Sequence, residues 1–162
     1  AENGVTAARW LMDTEPAPFY AKFLKFSGRA DRYQHYEMRY PCNAVIKAVF
    51  VPAGTGGHGQ PLHEDAFLMD SFNFLTPVNA RKTRYFWFQH RSDHAGDEDI
   101  SRYMNDGARM AFLEDKAILE KVHVGMKHAV TPHIDLGLDK GAKLFRQGLD
   151  RAIQAEATET VV

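Results

Sequence analysis

The sequence predicts an α+β domain in which an antiparallel sheet wraps around one long helix. Two observations predict this class. Successive segments between residues 31 and 91 have strand character, and a single amphipathic segment from Asp97 to about His128 follows them. Strands grouped along the chain and followed by a long helix are typical of α+β proteins. Such a sheet is expected to leave a cavity between its concave face and the helix.

Hydrophobic periodicity defines the individual elements. Tyr36, Met38 and Tyr40 alternate with polar neighbours, which indicates a half-buried strand that stops at Pro41. The predicted strands are residues 5–12, 31–40, 43–51, 65–76 and 83–91, and shorter helices are predicted at residues 18–26 and 142–156.

The long helix carries an apolar stripe at helical spacing, and Asp97 is suited to cap its first turn. The stripe consists of Met104, Ala108, Ala111, Phe112, Ile118, Leu119 and Val122.

Asp115 interrupts this stripe. It lies three or four residues from Ala111, Phe112, Ile118 and Leu119, so we expect its side chain to point into the core. A buried carboxylate has to be paired, hydrogen-bonded or bound to a metal, because burying it bare is costly. Spacing alone leaves open a salt bridge to a strand residue and a role as a metal ligand or catalytic carboxylate.

The predicted strand at residues 65–76 has one mixed face and one purely hydrocarbon face. If the mixed face lines the cavity, it forms a ligand-binding wall with an amide group. If the hydrocarbon face does, the wall is plain core. The two sets are Met69, Ser71, Asn73 and Leu75, and Leu68, Phe72 and Phe74.

Composition limits the class of protein. A chain of 162 residues with 44% hydrophobic residues predicts one folded domain, placed at residues 1–157 with a frayed tail at 158–162. A net charge of -1 provides no basic surface for nucleic acid or an anionic membrane. The single Cys42 excludes an internal disulfide and favours a reducing cytoplasm.

Two local motifs resemble functional sites, but their positions in the sequence favour a structural role. His90 and His94 have the spacing of a helical metal pair, but they fall where a strand leads into a helix cap, so they are predicted to be solvated. A site that combines one of them with Asp115 is a weaker hypothesis. The GTGGHGQ segment lacks the ending of a phosphate-binding loop and does not open a helix.

Several segments together resemble the C-terminal half of the oxygenase component of Rieske non-haem iron oxygenases, in the branch of vanillate O-demethylase and dicamba monooxygenase. They occur in the family order and cover nearly the whole chain. The segments are ARWLMDTEPAPF (8–19), DRYQ (31–34), FLTP (74–77), RYFWFQHRSD (84–93), FLEDKAILE (112–120) and DLGLDKGAKLFRQGLDR (135–151).

The resemblance implies a helix-grip fold and assigns roles to particular residues. It implies that Asp115 is the carboxylate of a two-histidine, one-carboxylate iron site, the geometry of iron(II) centres that activate dioxygen. Glu114 is the weaker candidate. By the same resemblance, Leu75 falls at a position of substrate contact, and Asn73 would share its face. With the neighbouring strand and helix positions, the residues predicted to contact substrate are Asn73, Leu75, Met69, Phe112 and Ala111.

The chain departs from the family pattern in its cofactor ligands. The cysteine and histidine pairs that hold a [2Fe–2S] cluster are missing, and nothing before Arg9 supplies the two iron histidines. The resemblance therefore implies non-haem iron(II) and a [2Fe–2S] cluster for the intact enzyme, and neither for this chain alone, which is expected to be inactive.

The implied partners of the intact enzyme are a small aromatic substrate, dioxygen and an NAD(P)H-dependent ferredoxin-type reductase, and the implied assembly is a homotrimer. An alternative function is a stand-alone helix-grip module that binds an apolar small ligand without redox chemistry. The missing ligands and the predicted apolar cavity motivate this alternative.

Overall fold

Five strands pair in chain order into one antiparallel sheet. The structure is a computed structural model that describes residues 3–131 and 134–159. The sheet order is β1-β2-β3-β4-β5, with every neighbouring pair antiparallel. The strands are β1 (Gly4–Thr14), β2 (Ala30–Arg39), β3 (Asn43–Pro52), β4 (Phe67–Asn79) and β5 (Lys82–Arg91). The helices are α1 (Pro18–Ala21), α2 (Glu98–Met126) and α3 (Lys140–Glu159), with a 3₁₀ turn at Gly137–Asp139 before α3.

The described residues fall into two compact units. One contains the sheet, α1 and α3, and the other, within His94–Asp135, contains α2. A five-stranded antiparallel sheet and one long helix are consistent with a helix-grip-like fold, and the predicted α+β class is confirmed. No helix within the described ranges is long and apolar enough to cross a membrane.

The short first helix ends earlier than the sequence predicts. It stops at Ala21 instead of residue 26, because the chain turns out of the helix with the Phe23 N–H donating to the Tyr20 carbonyl at 2.9 Å. The Phe23 ring is then buried and stacks on Phe67 of β4 with ring centroids 5.7 Å apart. Tyr20 packs on Phe50 of β3 at 4.7 Å, so α1 covers one end of the sheet.

The last helix packs beside the end of β2. Phe145 of α3 stacks on Tyr40 with ring centroids 5.2 Å apart, and Gly148 lies directly against the Tyr40 ring. The helix continues through Glu159, two residues beyond the predicted domain boundary at 157. Residues 160–162 of the predicted tail lie outside the described residues.

The start of α2 follows the sequence prediction. The Asp97 side chain accepts a hydrogen bond from the Ile100 N–H at 3.0 Å, and Glu98 and Asp99 occupy the first turn. Acidic residues at this end are favoured by the helix dipole. The helix ends at Met126, with Lys127 as its C-cap, instead of at His128.

Candidate functional site

The register of the sheet separates its side chains into two faces. One, here called the Asn73 face, carries Arg9, Arg32, Gln34, Met69, Ser71 and Asn73. The opposite face, here called the Glu37 face, carries Tyr33, His35, Glu37, Phe72 and Phe88.

Of the two side-chain sets on β4, the set that contains Ser71 and Asn73 is the more buried. Met69, Ser71 and Asn73 are buried, whereas Phe74 on the opposite set is 37% exposed. Leu75 is half-buried. The sequence left both orientations open, and the structure places the polar set on the better-protected face of the strand.

The Asn73 amide is surrounded by hydrogen-bond partners from its own sheet. The Tyr85 hydroxyl donates to its Oδ1 at 2.7 Å, and its Nδ2 donates to the carbonyl oxygens of Ser71 at 3.2 Å and Ala44 at 3.4 Å. Asn73 is only 2% exposed, but Tyr85 is 44% exposed. Asn73 therefore orients the Tyr85 phenol at the edge of this face. Its predicted contact with substrate, like those of Leu75 and Met69, stays a prediction.

Two arginines occupy diagonal positions on the β1 and β2 part of the Asn73 face. The Arg9 Nε donates to the Gln34 Oε1 at 2.8 Å across the strand pair. The Arg32 guanidinium lies 5.1 Å from the centroids of both the Tyr20 and the Phe50 rings. Burial raises the pKa of the Tyr20 hydroxyl, and the Arg32 charge opposes that shift only in part.

Asp31 is a fully buried carboxylate at the base of the glycine-rich loop. It accepts backbone N–H bonds from Asp13 at 2.8 Å, Gly54 at 2.8 Å and Gly56 at 2.9 Å. Burial acts to raise the pKa of Asp31, but these N–H groups outweigh burial and the pKa lies below its usual value. With its oxygens occupied by backbone, Asp31 anchors the loop to the sheet.

A chain of polar side chains follows β2 on the Glu37 face. His35 Nε2 lies 3.3 Å from Glu37 Oε2, and the Arg39 Nε donates to Glu37 Oε1 at 2.6 Å. The hydrogen bond from Arg39, reinforced by His35, lowers the pKa of Glu37 to about 2. The Tyr33 hydroxyl extends the chain to His35 Nδ1 at 3.3 Å.

The expectation that Asp115 points into a core is wrong. Asp115 is exposed on α2, as are Ala111, Ile118 and Leu119 of the predicted stripe. Of the seven stripe residues, all of which the structure describes, only Met104 and Ala108 are buried. The apolar stripe is present in the sequence, but most of it is exposed in this chain.

The other predicted site residues on α2 differ in exposure. Phe112 is half-buried and Ala111 is exposed. Both lie within one helical turn of Asp115, so the sequence grouped the three correctly along the helix. Their predicted contact with substrate, and the role of Asp115 as a metal ligand, stay predictions.

The described residues do not by themselves fit a two-histidine, one-carboxylate iron site. Within residues 3–131 and 134–159, no group of three His, Cys, Asp or Glu side chains is arranged to hold a metal ion. His90 and His94 are exposed, as the sequence predicted.

Sequence reasoning missed two polar positions on β2. The sequence gives Asp31 and Arg32 no role beyond their place in the DRYQ segment. The signal for Asp31 was a carboxylate beginning a strand opposite a loop with several glycines, whose N–H groups approach it closely. Gly56 has no room for a side chain, because a Cβ would press on the Trp10 ring and on Asp31. Periodicity does not report such a contact across 25 residues.

An antiparallel sheet with a protected polar wall, together with a long capped helix, defines a protein of the α+β, helix-grip-like class. Residues 1–155 match the family model described as the vanillate O-demethylase oxygenase C-terminal domain, and the chain belongs to that family. The resemblance noted from the sequence is thereby confirmed.

Curated relatives agree with this family. The chain is 27% identical over 154 residues to the toluene-4-sulfonate monooxygenase system iron-sulfur subunit TsaM1 of Comamonas testosteroni, which covers 94% of the chain and 44% of the relative. It is 24% identical over 167 residues to the oxygenase component of chloroacetanilide N-alkylformylase from Rhizorhabdus wittichii, covering 99% of the chain and 46% of the relative. The chain thus spans less than half the length of these relatives. No solved structure matches it.

Proposed function

We propose that this chain is the catalytic-domain portion of the oxygenase component of a Rieske-type aromatic O-demethylase or monooxygenase. The family match over residues 1–155 carries the proposal. A relative named as a toluene-4-sulfonate monooxygenase subunit supports a small aromatic substrate and oxygen-dependent chemistry. The antiparallel sheet with its protected polar face supports the same assignment, because it offers a wall on which an aromatic ring can lie.

Asp115 is proposed as the carboxylate ligand of a non-haem iron(II) in the intact enzyme. Its exposed position on α2 leaves it accessible to ligands that the described chain does not supply. Two histidines from the rest of the intact enzyme would complete the site. Iron(II) in such a ligand set activates dioxygen. Asn73, Leu75, Met69, Phe112 and Ala111 are proposed to contact the substrate.

The remaining partners follow from the same proposal. A [2Fe–2S] cluster in another part of the intact enzyme would receive electrons from an NAD(P)H-dependent ferredoxin-type reductase, and the intact oxygenase would be a homotrimer in the cytoplasm. The 162 residues alone are proposed to lack activity.

The test uses the intact oxygenase that contains this chain, purified with its reductase. We expect oxygen consumption coupled to formaldehyde release from a methoxylated aromatic acid. Asp115→Ala should lose the non-cluster iron and reduce turnover at least about a hundredfold, because one of three protein ligands is removed. Iron is measured by metal analysis and the cluster by its visible spectrum.

Glu114→Ala is the matched control, since Glu114 is the neighbouring exposed carboxylate on the same helix. It should keep both iron and turnover. Normal iron content and turnover in Asp115→Ala would reject the ligand assignment. Tight binding of apolar ligands without any iron or oxygen consumption would instead support the alternative, a helix-grip module without redox chemistry.

A further inference from the structure

We propose that the Asn73 face recognises the anionic head group of an aromatic acid, and that Arg32 supplies the charge that selects it. This inference rests on the proposed function only for the role of the ligand as substrate. The binding itself is argued from the distribution of charge on the sheet and from the surroundings of one guanidinium.

Carboxylates lie on only one of the two faces, whereas basic side chains lie on both: the Glu37 face also carries Arg39, Lys47 and Arg84. At the paired positions of the five strands, all of which the structure describes, the carboxylates are Asp31, Glu37 and Asp70, and all three lie on the Glu37 face. The Asn73 face has no carboxylate at these positions and carries three arginines, Arg9, Arg32 and Arg91. A surface with cations and without anions favours an anionic ligand.

Arg32 differs in its hydrogen bonding from several arginines that donate to oxygens of the chain. Its Nε is buried and has no hydrogen-bond partner among the described residues. Several other arginines donate to an oxygen of their own chain. These are Arg9 to Gln34, Arg29 to Asp13, Arg39 to Glu37, Arg91 to the Asp93 carbonyl and Arg102 to Asp99.

The two aromatic rings beside Arg32 stabilise its charge only in part. Cation–π contact with Tyr20 and Phe50 contributes to retaining the cation, but it does not satisfy a buried N–H donor. A carboxylate or sulfonate does, because its oxygens match the planar fork of donors on a guanidinium. The site is therefore complementary to an oxyanion.

The neighbouring residues suit the rest of an aromatic acid. Gln34 lies two residues after Arg32 in β2, on the same face. It pairs with Ala48 of β3, which in turn pairs with Met69 of β4. Both of these are apolar and buried. A ligand anchored by its anion at Arg32 would have its ring directed toward this apolar part of the sheet and the predicted substrate wall on β4. Neutral analogues of the same shape would lack the anchor.

The test measures binding to the full 162-residue chain by isothermal titration calorimetry, without iron, oxygen or reductase. Benzoate and benzenesulfonate are compared with their neutral counterparts, benzamide and benzenesulfonamide. We expect at least one of the two anions to bind about tenfold or more tightly than its neutral counterpart, the scale of a charge-assisted hydrogen bond. The tighter of the two anions identifies the head group.

Arg32→Gln should abolish the preference for the anion, and Arg32→Lys should retain part of it. Arg84→Gln, which removes an exposed arginine from the Glu37 face, should leave the preference unchanged. Circular dichroism checks that each variant is folded.

A measurement on the unaltered chain covers the case in which Arg32→Gln does not fold. Adding the preferred anion should shift the Nε–H resonance of Arg32 in a ¹H–¹⁵N spectrum. Equal binding of anions and neutral counterparts, an unshifted Arg32 resonance, or an intact preference in folded Arg32→Gln would each overturn the proposal. Because no turnover is measured, failure of the oxygenase assignment would leave this result unaffected, and the reverse also holds.

Discussion

Asp31 and Asp115 show that the hydrophobic pattern of a strand or helix does not by itself determine whether a carboxylate on it is buried. Asp31 is buried among backbone N–H groups, whereas Asp115 is exposed although it lies on an apolar stripe. Helical spacing predicted which residues share a side with Asp115. It could not predict burial, because burial depends on what covers that side. The loop glycines that hold Asp31 are distant in sequence, so periodicity gave no signal for them.

Replacing Asp31 with Asn should destabilise the fold by about 1–3 kcal/mol, because an amide NH₂ would face N–H donors that now reach a carboxylate. Since the pKa of Asp31 is lowered in the folded state, its contribution is present above the unfolded pKa and is lost as the pH falls through the folded value. Urea unfolding at neutral pH measures the difference. Asp70→Asn is the control, and an equal loss in both variants would contradict the anchoring role.

Glu37 should titrate far below an ordinary glutamate. Its folded pKa is about 2, against 4.5 for an unperturbed group. The stabilisation from its bonds to Arg39 and His35 should therefore be complete above about pH 4.5 and decline as the pH falls toward 2. Thermal melts of the wild type and Glu37→Gln should converge over that interval. A difference in Tm that is independent of pH would show that the pKa of Glu37 is not shifted.

At the scale of the elements, the sequence predicted the five strands and three α-helices of the described residues in the correct order, but not the 3₁₀ turn at Gly137–Asp139. Alternation in β2 and a capped amphipathic segment in α2 are local signals, and both were confirmed. The ends were less accurate. The first helix stops at Ala21, because burial of Phe23 against Phe67 competes with the helical periodicity of residues 18–26.

The close approach of α3 to Tyr40 makes Gly148 sensitive to substitution. A Cβ at Gly148 would overlap the Tyr40 hydroxyl, so Gly148→Ala should destabilise the chain by about 1–3 kcal/mol. Gly141→Ala in the same helix meets no atom within 4 Å and should be neutral or stabilise by up to about 1 kcal/mol. Chemical denaturation compares the two. Similar stabilities would mean that α3 can shift away from Tyr40 at little cost.

At the scale of the whole molecule, the second half of α2 exposes an apolar surface. Leu119, Val122 and Met126 are 65%, 51% and 66% exposed and follow one another at helical spacing. Contiguous apolar surface of this kind marks interaction sites in folded proteins.

The chain by itself should therefore bind the dye ANS and associate as its concentration rises. Leu119→Glu combined with Met126→Glu should reduce both effects severalfold, because apolar area is replaced by charge. Fluorescence and sedimentation velocity provide the measurements. Asn105→Asp adds a negative charge to α2 without removing apolar surface and should change neither. Undiminished association in the double variant would exclude α2 as its source.

The strand order has a kinetic consequence. Because each strand pairs only with its neighbours in the sequence, no crossover connection has to close before the sheet can form. The entropy lost in closing each loop is correspondingly small, and proteins dominated by local contacts fold faster than those with distant pairings. The sheet should accordingly form by successive addition of hairpins, faster than a Greek-key sandwich with the same number of strands.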